Sequence, residues 1–152
     1  HHYFGPKQHV FVAALDLPFD PGALVPQLLA DGPDGMGERL ARFFFQVWED
    51  PELQPRMLAL LRTILAGDPA AGLIRDFMTT ELVGRVARDL DAPDAELRAN
   101  LCAAQLMGLA FTRYVLHMEP MASTDVETLV GAVGPTLQRY LGGGREEPGN
   151  PG

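Results

Sequence analysis

Between Asp94 and His117 the spacing of apolar residues limits the fold more than any other stretch of the chain. Leu97, Leu101, Ala104, Gly108, Phe111, Val115 and Met118 fall at alternating steps of four and three, which on a helix draws one heptad-like seam. A second apolar set, Cys102, Leu106, Leu109, Ala110 and Leu116, runs beside it. A helix that is apolar on two sides has to be covered on both. One cover is the chain's own core; the other is either a second copy of the chain or more of one large monomeric core.

Helical spacing continues through the rest of the 152 residues. There is no alternating β-branched run and no hairpin signal between such runs, so the expected class is all-α. A first helix is expected from Pro6, with Gly5 as its cap, to Leu17. A short helical segment at Ala23–Ala30 is interrupted by Pro26. Asp34 is placed to cap a helix carrying Met36, Leu40, Phe43, Phe44, Val47 and Trp48 on one face. Asp50-Pro51 starts the next, with Leu53, Met57, Leu60, Leu61 and Ile64 inward, and Asp68-Pro69 repeats the device. That helix carries Leu73, Phe77, Leu82, Val86 and Leu90, with a bend at Gly84. Thr124 and Glu127 read as a capping box for the last helix, which carries Val126, Val130, Val133, Leu137 and Leu141. Pro135 is expected to kink it. The small residues Gly131, Ala132 and Gly134 allow another helix to come close. Gly142–Gly152 is a Gly/Pro/Glu tail with no apolar residue.

The net charge of −8 argues against these residues wrapping a polyanion by themselves. One cysteine, Cys102, excludes an internal disulfide and a multi-cysteine zinc site. No apolar run approaches the ~20 residues of a membrane span, and a soluble, cytoplasmic protein without a membrane partner is expected.

Catalytic and metal signatures are missing. None of His1, His2, His9 and His117 has a second ligand at helical spacing, and neither a nucleophile elbow nor a phosphate loop is present. No catalytic residue, metal or cofactor is expected, and the chain is not read as an enzyme. Two features go further. Phe43, Phe44, Phe45 and Trp48, with Met57 and Phe77-Met78, either line an adaptable apolar pocket or are plain core. Gln105, set among Leu101, Gly108 and Leu109, either meets a ligand or hydrogen-bonds across a helix interface. Lys7 is a third oddity, since a cation in the first turn opposes the helix dipole unless an anion sits there or the side chain reaches into water.

Tyr3-Phe4-Gly5-Pro6-Lys7, followed by Val10-Phe11 and Ala13-Ala14, resembles the end of the DNA-binding domain of TetR-family transcriptional regulators. There a tyrosine or histidine, a phenylalanine, a glycine and a lysine close the recognition helix and open the next one. "LCAAQLMGLAFTRYVLHMEPMAS" and "PTLQRYL" resemble an actinobacterial branch of that family. Proline stands at position 6 where serine is commoner, and tyrosine at position 3 where histidine is frequent. The resemblance implies a TetR-like C-terminal ligand-binding and dimerisation domain of about seven helices. Its last two helices would form a four-helix bundle with a partner subunit. Residues 1–16 would be the end of a DNA-binding domain otherwise absent and its connecting helix, 17–141 the effector-binding and dimerisation domain, and 142–152 a flexible tail.

By the same resemblance His1, Tyr3 and Lys7 match positions that contact DNA phosphates, and operator DNA is bound through the missing N-terminal segment. The expected ligand pocket takes Phe44, Trp48, Met57, Leu61, Phe77, Met78, Gln105 and Phe111, with an apolar or aromatic small molecule as effector. The expected homodimer interface takes Leu101, Ala104, Gly108, Val115, Val130, Gly131, Gly134 and Leu137. Binding of the effector would change the spacing of the two DNA-reading heads and release repression. The alternative is a free-standing α-helical small-molecule-binding or interaction module without DNA binding.

Overall fold

The computed structural model describes residues 21–90 and 92–143. The expected first helix at Pro6–Leu17, the positions His1, Tyr3 and Lys7, and nearly all of the tail lie outside the described residues. Among the described residues the structure is all-helical, with no strand. α1 is Pro21–Leu29, α2 Met36–Glu49 and α3 Gln54–Leu65. α4 is α-helical over Ala71–Phe77, π-helical over Met78–Val83 and α-helical again over Gly84–Asp89. α5 is Ala95–Ala110, prolonged by a π-helical turn, Phe111–Val115. α6 is Val126–Gln138, prolonged by a second such turn, Arg139–Gly143.

Several helix ends differ from the sequence expectation, each for a local reason. α2 is opened by Gly35 in the left-handed region, φ 75°, without a side-chain cap from Asp34. Glycine takes that conformation at little cost, and the chain turns there without a carboxylate. Asp50 does act at the next junction: its Oδ1 accepts from the N–H groups of Glu52 and Leu53, at 2.8 and 3.3 Å. The turn that it holds takes in Pro51 and delays α3 to Gln54, with another proline, Pro55, in the helix's first turn. The cap of α6 is Asp125, not Thr124. Its carboxylate accepts from Thr128 N and Oγ1 at 3.1 and 2.8 Å, while Thr124 Oγ1 turns back to the Pro120 carbonyl at 2.6 Å. Those bonds from Thr128 hold the Asp125 carboxyl below the usual range. Glu127, the other half of the expected box, pairs with Arg42 on α2.

Neither internal proline ends its helix. α1 runs through Pro26 and α6 through Pro135. At Gly84 the structure has a π-helical turn instead of a simple bend. The Gly84 N–H bonds to the Thr79 carbonyl five residues back, and a Cβ at Gly84 would stand 2.9 Å from that oxygen.

Among the described residues the closest backbone approach at a glycine joins α2 to α6. A Cβ on Gly37 would lie 2.4 Å from the Gly134 carbonyl oxygen and 2.5 Å from Gln138 N, so the two backbones touch where neither helix has a side chain. Gln138 bridges the same junction: its Oε1 accepts from Gly37 N at 2.8 Å, and its Nε2 donates to the Pro33 carbonyl at 2.8 Å. One of the unpaired N–H groups at the start of α2 is satisfied in this way. Around the contact Ala41, Phe45, Val130, Val133, Leu137, Leu109 and Ala110 form the buried centre. Among the described residues no helix is long and apolar enough to cross a membrane.

Candidate functional site

Away from the α2–α6 contact the helices do not close. A cavity of about 300 Å³ lies between α1, α2, α3, α4 and the inward face of α5. Its wall comes from Val25 and Leu28 on α1, and from Leu40, Phe43, Phe44, Val47 and Trp48 on α2. Met57, Leu60, Leu61 and Ile64 come from α3, and Ile74, Phe77, Met78, Leu82, Val83 and Val86 from α4; Ala99, Cys102, Ala103, Leu106 and Met107 complete it from α5. Every one of these described side chains is apolar, thioether, thiol or indole. α2 contributes to both regions: Phe45 is buried in the core, and Phe43, Phe44, Val47 and Trp48 line the cavity with α3 and α4. Phe44 meets Phe45 edge-on, with ring centroids 5.0 Å apart.

Six of the eight expected pocket residues stand in this wall: Phe44, Trp48, Met57, Leu61, Phe77 and Met78. Gln105 and Phe111 do not. On α5 the wall is made at 99, 102, 103, 106 and 107; Gln105 stands half-buried outside it, and Phe111, in the π-helical turn, is exposed. Helix phase, which a polar residue between two apolar sets left open, explains both departures.

Beyond Trp48 lies a polar cluster that the sequence reading did not assemble. The Trp48 and Tyr114 rings stack at 4.9 Å with 12° between their planes. Tyr114 donates its hydroxyl proton to Glu49 Oε2 at 2.6 Å, and Arg113 Nε donates to the same oxygen at 3.2 Å. Arg113, only 8% exposed, also donates to the Met121 and Thr124 carbonyls at 2.6 and 2.7 Å. The Arg113 guanidinium thus ties the π-helical turn of α5 both to the end of α2, through Glu49, and to the following loop, through its carbonyls. Burial, and then the bond to Glu49, pushes the Tyr114 pKa well up. The available signal was Arg113 itself, a cation inside an apolar run, since a buried charge needs partners.

The expected interface residues divide into two groups. Leu101, Ala104, Gly108 and Gly131 are exposed and Val115 is half-buried, and a Cβ on Gly108 or Gly131 would meet nothing within 4 Å. Val130, Gly134 and Leu137 are buried within the chain itself; the smallness of Gly134 serves α2 of the same chain, where its Cβ position lies 3.3 Å from the Glu38 Cα. The outer seam of α5 is apolar and open, with Leu97 58%, Leu101 37% and Phe111 37% exposed, and Leu116 and Met118 are exposed just beyond the helix end. One helix therefore faces a cavity on one side and solvent with an apolar stripe on the other. Among the described residues no group of three or more His, Cys, Asp or Glu side chains stands together as a metal site.

Comparison with known proteins identifies a family. The family described as tetracyclin repressor-like, C-terminal domain, matches residues 34–141. A solved structure of a TetR-family regulator from Streptomyces coelicolor A3 is similar, with a TM-score of 0.63 and 30% sequence identity, over 90% of this chain and 92% of that chain. No curated protein matches.

Proposed function

Because the chain belongs to the tetracyclin repressor-like C-terminal domain family, we propose that it is the effector-sensing and dimerising part of a DNA-binding transcriptional repressor. Regulators of that family act as dimers that bind DNA and ligands. The observation that carries the reading here is the division of α5. Its inward face closes an apolar cavity, and its outward face is an exposed apolar heptad seam. A ligand in the cavity therefore touches the same helix that a partner subunit covers, which is the physical requirement for one site to bias another.

The homodimer would form on Leu97, Leu101, Ala104, Gly108, Phe111 and Met118, joined by the exposed face of α6 around Gly131. Two such helices from each subunit make a four-helix bundle. An apolar or aromatic effector suits the cavity, because it gives up water without leaving a polar group unpaired.

Light scattering together with a thermal-shift screen of neutral aromatic compounds tests the reading. A dimer that is stabilised by some of these compounds supports it. A monomer at micromolar concentration with no responding compound overturns it. For the DNA-binding half, a helix-turn-helix pattern of about 45 residues encoded ahead of His1 is the supporting result, and a reading frame that opens at His1 the opposing one.

A further inference from the structure

We propose that the cavity selects uncharged ligands and rejects the ionised form of any acid or amine that would otherwise fit. This rests on the reading of the cavity as the effector site and names the class of effector. The warrant is the chemistry of the wall. None of its described side chains carries a formal charge, a carboxamide or a hydroxyl. Among the described wall residues Cys102 is the one that titrates, and burial pushes its thiol up to about 12, so it stays neutral across the physiological range. The Sγ is also engaged, donating to the Leu137 carbonyl at 3.8 Å.

Two clusters of charged groups described near the cavity are committed elsewhere. The Glu49, Arg113 and Tyr114 cluster lies behind the Trp48 ring, where its members bond to one another and to loop carbonyls. Glu81, 1% exposed, sits in the π-helical segment that sends Met78, Leu82 and Val83 to the wall, but its carboxylate is paired with Arg85 at 2.9 Å and is not in the wall. An ionised ligand group entering here would lose its water and find no opposite charge among the described wall side chains, and the single Trp48 indole N–H does not offset that loss. At about 300 Å³ the cavity is at the lower end of ligand pockets and suits a compound of a few rings.

Trp48 is the only tryptophan in the chain and stands in the wall, so its fluorescence reports this cavity rather than the exposed seam. N-phenyl-1-naphthylamine and 1-anilinonaphthalene-8-sulfonate share one ring skeleton and differ by a sulfonate that is charged at every working pH. Titration of the full chain with each is expected to give saturable Trp48 quenching by the neutral amine, and affinity at least about a hundredfold weaker for the sulfonate. Biphenyl-4-carboxylic acid should gain roughly tenfold in affinity for each pH unit lowered toward its pKa, while its methyl ester stays flat. Comparable affinity for amine and sulfonate, or a carboxylic acid that binds equally well when ionised, overturns the selection against charge and leaves the cavity as a ligand site. Quenching by neither the amine nor the ester overturns the effector-site reading and the inference with it.

Discussion

At Glu49 a single carboxylate oxygen serves the Tyr114 hydroxyl and the Arg113 guanidinium together. Glu49→Gln keeps the shape and removes the charge, leaving Arg113 buried opposite a neutral amide. The Glu49 side chain is 42% exposed, so solvent screens part of the pair, and a loss of about 1–2 kcal/mol in urea unfolding is expected. A loss under about 0.5 kcal/mol would mean that the loop carbonyls alone hold Arg113. The alkaline limb of stability has its own residues. Burial raises Cys102 from an ordinary value near 9.0 to about 12, and burial together with Glu49 raises Tyr114. Both hold their protons more tightly folded than unfolded, so the stability they contribute is complete below the unfolded values and is lost as pH rises. The urea midpoint should fall from about pH 9 upward, less steeply in Cys102→Ala because one of the two groups is gone. Equal slopes in the two proteins would remove Cys102 from the explanation.

At the scale of elements, the α2–α6 contact and the open faces make different predictions for the same substitution. Gly37→Ala puts a methyl 2.4 Å from a backbone carbonyl that cannot rotate away, and a cost of about 3 kcal/mol or more is expected. Gly131→Ala, with nothing of its own chain within 4 Å, should leave the packing of the single chain intact and cost far less, any loss being confined to the dimer contact proposed around it. Thermal unfolding of the two variants checks the pair, and similar effects at both positions would contradict the packing. The same contact shows what the sequence made legible. The heptad of α5 was readable because an apolar stripe follows from periodicity alone, while whether the chain's own core covers that stripe does not. That Gly134 and Leu137 meet α2 rather than another subunit was not, since a small residue signals a close neighbour without saying which. Gly37, the other half of the contact, sits near a helix start where glycine has several explanations. The π-helical turns were hidden too, because one added residue in a single turn leaves no period to detect. In the cavity, clustered aromatic and methionine residues pointed to the wall, whereas Gln105 and Phe111 depended on a rotation of α5 that pattern alone does not fix.

The molecule as a whole is organised around α5, which has chain on one side and an uncovered apolar stripe on the other. Leu101→Glu places a charge in the middle of that stripe without touching the cavity. Sedimentation equilibrium should show the dimer weakened by at least about tenfold, and an unchanged dimer would move the interface elsewhere. The cavity is tested most directly by filling it. Ala103→Phe adds a ring to the α5 wall, away from both the outer seam and the α2–α6 contact. With N-phenyl-1-naphthylamine at about a hundred times its dissociation constant, the unaltered chain should gain roughly 5–10 °C in Tm. Ala103→Phe, with helix content and dimer mass unchanged, should gain none. An equal gain in both proteins would put the ligand outside this cavity and contradict its role as the effector site.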